Sequence, residues 1–250
     1  MSLILALETA TPVCSVALAR DGVILALRES TAPNAHSSVL TVFIEEVFRE
    51  ASLQYSDLDA VSVSMGPGSY TGLRIGVATA KGLCYALDKP MIAVPSLEEM
   101  ALGMINYPFP IASPSLAREG NACQLPTANC QLLFCPMIDA RRMEVYCAVF
   151  DGDLNEILST EAEIIDEHSF GSLLAKHPIL FAGTGADKCK EVLSHNQNAH
   201  FLQGFQASAR FMIPLAENRF NEKQFEDLAY FEPFYLKDFV AGKPKVKGLR

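Results

Sequence analysis

No apolar run in the 250 residues approaches the roughly 18 that a membrane-spanning helix needs. Met1 leads straight into the strand-like LILAL, with no basic stretch and no small-residue cleavage pattern. A secretory leader is therefore not expected, and a cytoplasmic location is. Seven cysteines are present without a single CxxC pair, which argues against a zinc ribbon or a thiol-redox motif. Cys14, Cys84, Cys135 and Cys147 fall in apolar stretches and read as small buried hydrophobes. The five histidines, His36, His168, His177, His195 and His200, include no HxxxH or HExxH pair, so no metal ligand set is read and no metallopeptidase is expected. There is no GxSxG nucleophile elbow and no Walker lysine. Basic residues are scarce as well: 20 Lys and Arg stand against 29 Asp and Glu, a net charge of −9. A chain that grips nucleic acid with its whole surface needs clustered cations, and residues 1–236 carry −13. Lys237, Lys243, Lys245, Lys247 and Arg250 give the last fourteen residues a separate net +4.

What the chain has is apolar material, half of its residues, enough for two small cores. Leu3–Glu8 is an apolar run ending in an acid, followed by a turn and a strand over Val13–Arg20. Asp21-Gly22 is a hairpin signal that returns the chain along Val23–Arg28. Apolar residues at Leu40, Phe43, Ile44, Val47, Phe48 and Ala51 follow helical spacing. A short strand, Ala60–Met65, precedes a breaker-rich loop and a helix over about 70–87. Ser96 and Glu99, after the strand Met91–Val94, have the spacing of a capping box.

Residues 107–130 lose all periodicity, with Pro108, Pro110, Pro114 and Pro126, and read as a linker or insert. Beyond it the first pattern returns. Leu132–Asp139 again ends in an acid, and Asp151-Gly152 repeats the hairpin signal. A helix near Glu167–Lys176, a strand over Ile179–Ala182, the loop Gly183-Thr184-Gly185 and a helix over 186–193 follow. The acid-to-glycine offsets are 14 (Glu8 to Gly22) and 13 (Asp139 to Gly152). The expected organisation is two similar α/β subdomains, 1–106 and 131–236, facing each other across a cleft, with a basic tail at 237–250.

The most specific stretch is GPGSYTGLRIG, residues 66–76. A glycine-rich loop between a strand and a helix N-terminus can turn backbone N–H groups toward an anion, and equally can be a tight turn. Inside the helix, Gly72, Gly76 and Ala80 recur at intervals of four, beside Leu73 and Val77. Each helical glycine costs about 1 kcal/mol against alanine, so another backbone should approach that face. The approaching backbone could belong to this chain or to another subunit.

These residues carry a resemblance. LALETATPVCSVAL, Asn34-Ala35-His36, GPGSYTGLRIGVATAKGL, IDARRMEVY and EPFYLKD, spread over most of the chain, resemble the bacterial TsaB family of tRNA threonylcarbamoyladenosine biosynthesis proteins. The insert at 107–130 departs from the usual member. The resemblance implies two ribonuclease-H-like subdomains of the actin-like ATPase superfamily, with mixed five-stranded sheets flanked by helices. It implies a helper of the TsaD-like transferase, working with the small TsaE-like ATPase, with no catalytic residue of its own. Docking would use the helices at about 35–53 and 70–87, through Leu40, Phe43, Ile44, Val47, Gly72, Leu73, Gly76, Val77 and Ala80. Alone, the chain would pair with a copy of itself through the same helices, and tRNA would be met only through the complex. Glu8, Thr9, Thr11, Gly66, Gly68, Ser69, Asp139, Gly183 and Gly185 would mark degraded phosphate loops, with ATP or ADP and magnesium belonging to the assembled complex. The competing reading is an actin-fold ATPase or phosphotransferase with its own nucleotide between the halves. A metallopeptidase rests only on the family's older glycoprotease label.

Overall fold

The computed structural model describes residues 1–32, 36–107 and 131–237. The helix-entry residues Asn34 and Ala35, nearly all of the expected insert and all of the tail after Lys237 lie outside the described residues. The first half begins with an antiparallel meander, β1 (Leu3–Glu8), β2 (Cys14–Arg20) and β3 (Val23–Ser30). Then come α1 (His36–Ala51), β4 (Ala60–Gly66), α2 (Tyr70–Leu87), β5 (Met91–Pro95) and α3 (Ser96–Ile105). β4 pairs in parallel with β1, and β5 with β4, so the sheet runs β3-β2-β1-β4-β5.

The second half holds β6 (Leu133–Asp139), β7 (Glu144–Phe150), β8 (Glu156–Ile164), α4 (Gly171–Leu174), β9 (Ile179–Ala182), α5 (Ala186–Leu193) and β10 (Ala199–Leu202). Its sheet runs β8-β7-β6-β9-β10 with the same mixture of antiparallel and parallel pairs. Each half thus has the strand order of a ribonuclease-H-like subdomain. None of the helices among the described residues is long and apolar enough to cross a membrane.

The amphipathic spacing of α1 has a direct physical outcome. Leu40, Ile44, Val47 and Phe48 bury against the first sheet with Val61, Val63, Val77 and Cys84. At α2, the Ser69 side chain caps the helix by accepting from Gly72 N at 3.2 Å. The two glycines beyond it admit the turn between β1 and β2. A Cβ on Gly72 would lie 2.1 Å from the Thr9 carbonyl oxygen, and one on Gly76 would lie 2.2 Å from Thr9 Oγ1. The backbone that the glycine spacing anticipates is therefore this chain's own.

Several expectations need correction. The Ser96/Glu99 capping box does not form. Pro95 occupies the cap position, Ser96 Oγ accepts from Gly66 N at 3.2 Å, and Glu99 turns into the core. The helix expected over Glu167–Lys176 is the single turn α4. A further helix, α6 (Ala209–Asn221), follows β10 and carries the exposed Pro214 on its outer side. Its Ala209, Met212, Ile213 and Ala216 pack on Ile4, Ala6, Ala17 and Val94 of the first sheet. Within the expected 131–236 unit, α6 thus returns to pack on the first core.

Glycine substitutions should separate these roles. Gly72→Ala and Gly76→Ala should each destabilise the chain by about 1–3 kcal/mol, because the added methyl meets the Thr9 turn. Gly82→Ala, with nothing within 4 Å of the new Cβ, should stabilise it by about 1 kcal/mol. Urea unfolding midpoints of the three variants check both signs.

Candidate functional site

Between the halves lies a cleft of about 810 Å³. One wall is the β1–β2 turn, the start of α1 and the loop into α2. The other is the turn after β6 together with Tyr146 and Thr184, and Lys237 closes one side. Of the residues expected in phosphate loops, Thr11, Gly68, Ser69 and Asp139 line this cleft, as does Gly72. Glu8, Thr9, Gly66, Gly183 and Gly185 do not.

The glycine-rich loop spends several of its donors on the chain itself, among them the amides of Gly66, Ser69, Gly72 and Leu73. Ser69 N donates to Ala10 O at 2.7 Å, and Leu73 N to Ser69 O at 2.8 Å. A Cβ on Gly68 would stand 2.3 Å from Ala10 O, and one on Gly66 2.6 Å from Phe234 O. Thr9 N donates to Ser64 Oγ at 3.2 Å. His36 Nε2 lies 2.9 Å from Thr11 O and 3.2 Å from Val13 O, and since carbonyls only accept, this nitrogen carries the proton. His36 is thus a clamp on the turn. The glycines here let two loops press together, which is the turn reading of the motif.

The second wall is equally occupied. Asp139 Oδ1 accepts from Arg141 N at 2.8 Å and from Lys188 Nζ, while Asp139 N donates to Thr184 Oγ1 at 3.1 Å. Lys188 also donates to Glu144 O at 2.6 Å, and Lys237 pairs with the Glu144 carboxylate. Gly183, at φ 101°, has Met137 O 2.5 Å from where a Cβ would be. Gly185 packs against Val145 and Met137.

Beneath the first wall, Glu8 is fully buried at the end of β1. Its Oε1 accepts from Ala10 N at 2.7 Å. Its Oε2 and both oxygens of the equally buried Glu99 have no hydrogen-bond partner among the described residues. Burial pushes Glu99 well above the ordinary carboxylate range, helped by the charge of Glu8. Burial raises Glu8 too, against the hydrogen bonds from Ala10, Ser64 and Thr11 that favour its ionised form. The sequence reading missed Glu99 because its spacing from Ser96 imitates a helix cap.

The expected docking residues are placed differently from the expectation. Leu40, Ile44, Val47, Gly72, Leu73, Gly76, Val77 and Ala80 are buried within the chain, and Phe43 is half-buried. Apolar spacing identified faces that the first sheet and the Thr9 turn cover within the chain. The outer surface of α2 instead exposes Ala78, Gly82, Tyr85 and Ala86, with Ile75, Thr79 and Leu83 half-buried.

Among the described residues, no group of three or more His, Cys, Asp and Glu could hold a metal ion. The described cysteines are all buried and unbridged. Burial pushes the Cys84 and Cys189 thiols up to about 11, and burial with the Glu8 charge does the same to Cys14. Thiols so protonated are poor nucleophiles.

Comparison with known proteins agrees with this architecture. Residues 29–244 match the profile of the TsaD family, described as tRNA N6-adenosine threonylcarbamoyltransferase. The tRNA threonylcarbamoyladenosine biosynthesis protein TsaB of Escherichia coli (strain K12) is 32% identical over 96% of each chain. Its Haemophilus influenzae counterpart is 37% identical over 96% of this chain and 95% of its own. The structure of YeaZ from Pseudomonas aeruginosa superposes with a TM-score of 0.74 at 23% identity, covering 94% of this chain and all of that one, which is a likeness of fold. With identity above 30% along nearly the whole of both sequences, the chain belongs to the TsaB family.

Proposed function

We propose that this chain is a non-catalytic partner of a TsaD-like transferase in the N6-threonylcarbamoyladenosine modification of tRNA. The observation that carries the reading is the end-to-end match to TsaB proteins. The non-catalytic part is supported by how the loops are used. The acid ending β1 is sealed from the cleft, the acid ending β6 is held by Lys188, and the Gly66–Ser69 loop is fastened to Ala10.

Docking runs through the outer surface of α1 and α2. Gly82 supports this placement. A mid-helix glycine costs about 1 kcal/mol, yet nothing in the chain lies within 4 Å of where its side chain would be. With Ala78 and Ala86 four residues to either side, it forms an exposed stripe on which another helix backbone can lie close. In isolation the same stripe would pair with a second copy. A TsaE-like ATPase joins the complex, ATP or ADP and magnesium act there, and tRNA is met only in the assembly, as the acidic body of the chain requires. A cytoplasmic setting follows from that role.

The competing reading, an ATPase with its own nucleotide in the cleft, is favoured by the cleft's volume and the repeated sheet order. It is opposed by the occupied loops.

Ala78→Glu should weaken association with the cell's TsaD-like protein by about a hundredfold or more while leaving the unfolding midpoint nearly unchanged. Val77→Glu, one residue away but 5% exposed, should instead unfold the chain. Size-exclusion chromatography with circular dichroism reads both, and intact complex formation by Ala78→Glu counts against the docking face. Calorimetry of the isolated chain with Mg·ATP should show no micromolar site, and saturable binding with turnover would favour the competing reading.

A further inference from the structure

We propose that Arg141 and Arg142, in the turn after β6, contact phosphodiesters of the RNA backbone at the rim of the cleft. The proposal rests on the role in tRNA modification put forward above.

The backbone of the turn is the first observation. Arg141 and Arg142 stand at φ 74° and 52°, two consecutive residues in the left-handed region. That region is unfavourable for a residue with a Cβ, which is why hairpin turns place Asn-Gly or Asp-Gly there. The chain does so at Asp21-Gly22, with φ values of 49° and 76°. Reversing the chain after β6 therefore does not account for two arginines. The turn is also well fixed. Arg141 N donates to Asp139 Oδ1 at 2.8 Å, Glu144 N to Arg141 O at 3.1 Å, and Lys188 Nζ to Glu144 O at 2.6 Å.

The side chains are the second observation. Arg28, Arg49, Arg210 and Arg219 each pair with a glutamate. Arg141 and Arg142 are exposed, and neither pairs with an acid among the described residues. The carboxylates flanking them are taken, Asp139 by Lys188 and Glu144 by Lys237. The chain has a net charge of −9, so acids are in excess, yet these two neighbouring guanidiniums are left for an anion from outside.

Their position narrows the kind of anion. Arg141 lines the cleft, as do Tyr70 and Thr71 of the opposite wall, while Arg142 stands outside it. The pair thus straddles the rim. Lys237 reaches the same turn through Glu144, and the residues after it include Lys243, Lys245, Lys247 and Arg250. The basic stretch that the sequence sets apart therefore begins here. A guanidinium fork matches two phosphate oxygens. Two forks astride a rim suit a polyanion that runs across it, rather than a compact ligand held inside a cleft whose loops are bonded to each other. The acidic body keeps the contact local, as suits a chain that meets RNA only when assembled.

The full chain, assembled with the cell's TsaD-like protein, tests this by fluorescence anisotropy with tRNA over a range of salt. Arg141→Gly and Arg142→Gly should each make the fall of log K with log salt shallower by about 0.7–0.9. Together they should weaken binding by about tenfold or more. Arg141→Lys and Arg142→Lys keep the charge and should keep the slope. Glycine accepts the left-handed backbone, so the unfolding midpoints of both glycine variants should hold or rise. An unchanged slope in the double glycine variant, or lowered midpoints in both single ones, would overturn the proposal. So would a double variant that loses binding of Mg·ADP to the complex but keeps the tRNA slope, because the arginines would then serve a nucleotide. Size-exclusion chromatography separates the remaining cases. A double variant that no longer joins the TsaD-like protein assigns the arginines to a protein contact and overturns the RNA assignment. A wild-type chain that forms no complex overturns the role in tRNA modification as well, whereas a complex that binds tRNA with an unaltered slope overturns this inference alone.

Discussion

The turn from Thr9 to Val13 rests directly on the first two turns of α2, and much of the first half is arranged around that contact. Gly72 and Gly76 leave the room, Ser69 N takes the Ala10 carbonyl, and His36 holds Thr11 and Val13 from the start of α1. The contact sets where β1 ends, where α2 begins and which way the cleft wall faces. Two helical glycines together cost about 2 kcal/mol in propensity, and the close backbone packing they permit is the compensating gain. The GPGSYTGLRIG stretch is thus first a packing device.

The same economy explains the acids. Asp139 occupies the matching strand end of the second half and is exposed, so an ion pair with Lys188 suits it. Glu8 occupies the buried equivalent, where a lone charge is costly and the Ala10 amide donates to it. One repeated position, an acid at the end of the first strand, receives two physical solutions because the two halves bury it to different depths.

Much of the architecture was legible from local pattern. The meanders, α1, α2 and the Gly183 loop follow from alternation, helical spacing and turn residues, which report on neighbours along the chain. The helix faces were also read correctly as apolar, but apolarity does not say what covers it. Leu40, Val77 and Ala80 turned out to face the sheet, while the exposed stripe of Ala78, Gly82 and Ala86 is too small in side chain to register as a hydrophobic signal. α6 was hidden by Pro214 in its middle. Its outward placement makes the proline tolerable, and only the fold reveals that.

The sequence by itself determined the two-part α/β organisation, the order of strands and helices as far as α5 and, through the resemblance its motifs carry, the family. Periodicity and turn chemistry are properties of neighbouring residues, and they survive without a structure. The tertiary structure alone decided that α6 returns to the first core, that the glycine face belongs to Thr9, and that Glu99 is buried in the core with Pro95 in the cap position. Such pairings depend on which surfaces folding brings together, and no spacing within a single segment encodes them.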